Sequence, residues 1–133
     1  PGPYEGREMP KPKRNINAST EIEMSDGTKL KLTISWGLLI KLRALNKQLY
    51  SKFSGVVMAG AADDVLKMLD IVYCGYICQY IEDNGTLADA LTQDEFIAVA
   101  PADVEAVTMA AMELISPKKM ARFQNRSESA QGN

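Results

Sequence analysis

The sequence predicts a mainly α protein of the α+β class: a small helical domain with an N-terminal β-hairpin and disordered, basic ends. Three observations carry this. Residues 63–83, DDVLKMLDIVYCGYICQYIED, have no proline, one glycine (Gly75), and apolar side chains nearly all round a 3.6-residue period. Residues 20–35 alternate polar and apolar about an Asp-Gly pair. The two ends lack periodicity, and Pro1, Pro3, Pro10 and Pro12 crowd into the first of them. A chain of 133 residues is enough for one domain. The division expected is a flexible leader over 1–19, a single domain over 20–117 and a mobile basic tail over 118–133. Residues 1–8 can be read as a cloning remnant, with Met9 as the native start.

The hairpin comes first. Ile22 and Met24, then Leu30, Leu32 and Ile34, point to one face. Glu21 and Glu23 lie opposite Lys29 and Lys31 across the pair, an attraction of about 0.2–1 kcal/mol each. Two strands alone are marginal, so their apolar face must lie on helices or on another chain's sheet. Ser35 is placed to cap a helix over 36–53, with Trp36, Leu38, Leu39, Leu42, Leu45, Leu49 and Phe53 inward. Its outer face is basic. Residues 54–62, SGVVMAGAA, then read as an apolar loop. Asp63 and Asp64 suit the positive N-terminus of the central helix, and Asn84-Gly85 ends it. Thr92-Gln93-Asp94-Glu95 is a capping box. Pro101 suits a first helical turn, and a last helix should reach about residue 116 with Val104, Val107, Ala111, Leu114 and Ile115 inward.

Charged Lys67 and Asp70 interrupt the central apolar run, so no uncharged stretch reaches the ~18 residues of a spanning helix. No signal-peptide pattern is present either, so the expectation is an intracellular protein with no membrane partner. Cys74 and Cys78, four apart on one helix face, read as buried free thiols. The net charge of −2 hides a segregation. Residues 29–52 carry Lys29, Lys31, Lys41, Arg43, Lys47 and Lys52 with no acid, while 63–117 carry eleven acids against Lys67. Such faces are usually just solvated. They could also attract one another between molecules, with Lys41, Arg43 and Lys47 as self-association residues.

The chemistry of catalysis is thin. There is no histidine, which removes the commonest general base and every His-ligated metal. Two cysteines cannot complete a zinc site within one chain. No glycine-rich phosphate loop is present. The paired acids 63/64 and 94/95 sit at helix starts, where capping explains them. No cofactor or metal is expected. The basic helix lacks interleaved surface aromatics, so nucleic acid is not expected as a partner. Candidate partner-binding residues are Val56, Val57 and Met58 in the apolar loop and the stripe Tyr73, Tyr76 and Tyr80. The stripe reads equally as core packing with its hydroxyls at the surface.

The order of parts then matters more than any motif. A leader ending RNINAST is followed by the hairpin IEMSDGTKLKLTIS, the Trp-led helix WGLLIKLRALNKQLY, an aromatic helix, a short acidic helix and a basic tail. Over about residues 15–116 this resembles the tail assembly chaperones of long-tailed phages and prophages of Gram-positive bacteria. The resemblance implies a non-enzymatic protein of the host bacterial cytoplasm, absent from the mature virion. It implies that the chain binds the tape-measure protein, and tail-tube protein as a further partner, keeping the tape measure soluble until the tube polymerises. The alternatives are a structural virion protein, such as a tail-tube or head-completion subunit, and a small DNA-binding regulator.

Overall fold

The computed structural model describes residues 18–59 and 64–115. The expectations for the first seventeen residues, for 60–63 and for 116–133 lie outside them. The elements in order are β1 (Ala18–Glu23), β2 (Lys29–Ile34), α1 (Trp36–Leu45), α2 (Lys47–Ala59), α3 (Val65–Asn84), α4 (Gln93–Ala98) and α5 (Val104–Ile115). This is the mainly helical protein with one hairpin that the sequence predicts. Among the described residues no helix is long and apolar enough to cross a membrane.

The hairpin forms because Asp26-Gly27 makes its turn. Gly27 takes φ +89, where a side chain is strained, and the Asp26 carboxylate accepts from the Thr28 N–H at 2.9 Å. The pairing sets Glu21 opposite Lys31 and Glu23 opposite Lys29. β1 begins at Ala18, two residues earlier than expected, because Ala18 pairs with Ile34 and its carbonyl accepts from the Thr33 hydroxyl at 2.9 Å.

The buried face of the hairpin lies on α3 and α5. Ile22, Leu32 and Ile34 join Ile71, Cys74, Cys78, Val107, Ala111 and Leu114 in one core. Nine residues of α3 are buried, from Met68 to Ile81, which makes it the central helix. Its closest approach is at Gly75. A Cβ built there would stand 2.8 Å from Leu114 Cδ1 and 3.0 Å from Leu32 Cβ, so glycine is what lets the strand and α5 come this near. The caps are as the sequence predicts: Ser35 for α1, Asp64 for α3, the Thr92/Glu95 box for α4, and Gly85 in the left-handed region closing α3.

Three expectations are corrected. The helix over 36–53 is two helices. Asn46, extended at φ −154, donates its N–H to the Leu42 carbonyl and so ends α1, while its side chain accepts from the Leu49 N–H and so starts α2. An asparagine that can cap in both senses beats the continuous leucine spacing. Trp36, at the start of α1, and Leu45, at its end, are exposed instead of inward. The apolar loop is corrected too: α2 runs on to Ala59, so Val56, Val57 and Met58 are helical. Finally, α5 starts at Val104, past Pro101, and Val104 is exposed. Asp103 accepts from the Glu105 N–H there.

Candidate partner-binding groove

The tyrosine stripe is occupied within the molecule. Phe53 of α2 meets Tyr73 edge-on, with ring centres 5.7 Å apart, and Phe96 of α4 lies 5.3 Å from both Tyr73 and Tyr76. The hydroxyls hold down the segment between α3 and α4. Tyr73 donates to the Leu91 carbonyl at 2.7 Å, Tyr76 accepts from the Leu91 N–H at 2.9 Å, and Tyr80 donates to the Ala88 carbonyl. Burial, with Tyr76 and Glu95 nearby, pushes the Tyr73 hydroxyl up to about 12, and burial raises Tyr76 as well. Tyr73 is buried and the other two are half-buried. Their polar ends are therefore spent on Leu91 and Ala88, which leaves little of the stripe for a partner.

The two thiols are buried and free. The hydrogen bond to Cys78, followed by burial, holds the Cys74 thiol far above its ordinary range, so it stays protonated and inert.

What the fold does leave open is a groove of about 490 Å³, within the ordinary range of ligand sites. Its walls are the start of α1, with Trp36 and Leu39, and the stripe Tyr50, Ser54, Val57 and Met58 on α2. Ala18, Ile34 and Leu114 are buried beneath it, and Ile115 closes one side. Spacing of four, three and one along α2 puts that stripe on one helix face. At the rim, Trp36 is 59% and Met58 77% exposed.

Among the described residues no charged side chain lines the groove. Its two serine hydroxyls are engaged: Ser35 accepts from the Leu38 N–H to cap α1, and Ser54 donates to the Ser51 carbonyl. Among the described residues the groove's lining is mostly apolar, which suits contact with an apolar surface. Among the described residues no group of three or more His, Cys, Asp or Glu stands close enough to hold a metal.

Of the partner-binding residues read from the sequence, Val57 and Met58 line this groove. Val56 does not; it packs against the core. Trp36 was expected inward and stands exposed on the rim; Leu114 is in the core as expected, Leu39 and Ile115 pack against that core, and all three also line the groove, while Tyr50 was missed. The signal was present in the helical spacing of 50, 54, 57 and 58, but it is hidden once 54–62 is read as a loop. Lys41, Arg43 and Lys47 are exposed on and just after α1. Arg43 stands 5.7 Å over the Tyr50 ring, beside the groove. The basic and acidic stretches also meet inside the molecule, where Lys52 lies 3.9 Å from Asp70 and Gln93 bonds to both.

Compared with protein-family models, with curated proteins and with solved structures, the chain matches none.

Proposed function

We propose that this chain is a non-enzymatic assembly chaperone of the long-tailed phage type, which holds apolar helical stretches of a tape-measure protein in the groove between α1 and α2. The observation that supports the reading is the groove's chemistry: about 490 Å³, mostly apolar, and, among the described residues, without a charge or an unengaged serine. An amphipathic helix laid in such a groove is held by its apolar anchors, and the soft Met58 adapts to different ones. That suits a holder of one long chain with many similar segments. On this reading it acts in the host bacterial cytoplasm and leaves before the virion is complete, with tail-tube protein as a further partner.

The test begins with the gene next downstream, whose product should be a very long helical chain. Co-expressed with the present protein, that product is expected in the soluble fraction. Val57→Asp sets an acid in an uncharged groove and should weaken binding at least about tenfold, about 1.4 kcal/mol, returning most of the product to the pellet. Far-UV circular dichroism checks that the variant is folded. Equal solubility with the original and the variant would refute the reading.

Repeated weak sites along one ligand add through effective concentration, so the proposal includes self-association. The exposed Lys41, Arg43 and Lys47 face outward, and complementary but non-identical patches make head-to-tail contacts. Sedimentation should give a concentration-dependent oligomer at low salt that weakens as salt rises and as these three are reversed to glutamate. A monomer at high concentration and low salt would end this part of the proposal.

A further inference from the structure

Two helix faces wall the groove, and each runs to a base at the same end. On α1, Trp36 and Leu39 line the groove, and Arg43 lies on that face one turn further on, at spacings of three and four. On α2, Tyr50, Ser54 and Val57 line it, and Lys47 precedes them on their face, three residues before Tyr50. Asn46 joins the two helices, and Trp36 at the start of α1 shares the groove with Met58 near the end of α2, so both bases stand at the Asn46 end. We infer that the groove selects one kind of amphipathic helix, with an acidic residue about one turn beyond its apolar anchors, and that Arg43 and Lys47 receive that acid. This rests on the reading of the groove as the partner's site.

Charge and position both favour this occupant. The Arg43 guanidinium stands 5.7 Å over the ring of Tyr50, which lines the groove. A guanidinium stacked on a ring still presents its edge N–H groups to a carboxylate. Both bases are exposed, and among the described residues the ion pair formed is a different one, Lys52 with Asp70. Residues 36–59, which supply both walls, contain no acid, so the walls themselves do not answer these charges. The other end of the groove, at Trp36, Met58 and Ile115, has an uncharged lining, so the two ends differ. Complementary charge sorts partners more than it adds affinity, which is what a groove lined by generic apolar side chains lacks. The chain as a whole carries −2, so its net charge disfavours an acidic ligand, and a preference for one has to come from local bases.

Trp36, the single tryptophan, is on the rim and reports what covers it. Three leucine-faced peptides of about 18 residues, free of tryptophan, are titrated into the full-length chain. The protein is kept dilute, so that self-association through the same bases does not compete. The peptides differ only in the pair one turn beyond the last leucine: Glu-Glu, Gln-Gln or Lys-Lys. At low salt the Glu-Glu peptide should bind about fivefold tighter than the Gln-Gln one, with Lys-Lys weakest, and the spread should shrink as salt rises. In an Arg43→Gln/Lys47→Gln variant that advantage should disappear, while the Gln-Gln peptide binds as before and circular dichroism is unchanged. A Lys29→Gln/Lys67→Gln variant loses the same charge from exposed sites on β2 and α3 and should keep the advantage. Equal affinity for the three peptides overturns the inference and leaves the groove standing as the peptides' site. An advantage that survives in the Arg43/Lys47 variant, or is lost equally in the Lys29/Lys67 one, overturns it in the same way. Failure of all three peptides to bind removes the groove reading and the inference with it. Trp36 emission that shifts on raising the protein concentration without peptide puts a second copy in the groove, and overturns the inference too.

Discussion

Phe53→Ala should unfold the domain at a much lower temperature, by about 3–5 kcal/mol of stability. Phe53 is fully buried, and it is the residue through which α2 meets the aromatic cluster of α3 and α4, edge-on to Tyr73. Removing its ring leaves a cavity that Tyr73 cannot fill, because the Tyr73 hydroxyl is tied to Leu91. For a domain of this size each kcal/mol moves the midpoint by about 4–8 °C, so a fall of about 15 °C or more is expected in a calorimetric scan. The functional consequence follows from position. Val57 and Met58 come one turn after Phe53, so the wall of the groove is held in place by this anchor. A fall of under about 5 °C would show that α2 is not fixed through Phe53.

Gly75→Val should cost about 3 kcal/mol, measured by urea unfolding. The first added carbon already stands 2.8 Å from Leu114 Cδ1 and 3.0 Å from Leu32 Cβ. The Leu114 methyl can swing aside, but Leu32 Cβ is fixed to its strand. Valine adds two more carbons to that gap and prefers a helix less than most residues do. Gly75→Ala is the useful control. It gains about 1 kcal/mol in helix propensity and loses a similar or somewhat larger amount to crowding, so the net change should be small. If valine were tolerated as well as alanine, β2 and α5 would not be packed as closely on α3 as the structure has them.

Much of this fold was legible because it is written in local terms. Asp26-Gly27 makes a turn wherever it stands between alternating strands, and Ser35, Asp64, Thr92 and Gly85 are caps recognised from one or two neighbours. The central helix shows itself by being apolar nearly all round. The misplaced elements depended on competition or on distance. At Asn46 the leucine spacing argued for continuity and one capping side chain argued against it; only the packing of Phe53 on α3 decides between them. The groove was harder still. It is built from the start of α1, the far end of α2, the first residue of β1 and the end of α5, and no sequence period connects those. The tyrosine stripe was seen as a pattern, but that Leu91 and Ala88 take up its hydroxyls is a tertiary fact.

The central claim is that the space between α1 and α2 receives an apolar helix, and Trp36 emission measures it most directly. An amphipathic peptide about 18 residues long, five helical turns, is titrated into the folded protein. The account predicts a saturable blue shift and loss of quenching at Trp36, both at least about tenfold weaker with Val57→Asp. An emission maximum that does not move, or one that moves equally in the original and the variant, would contradict it.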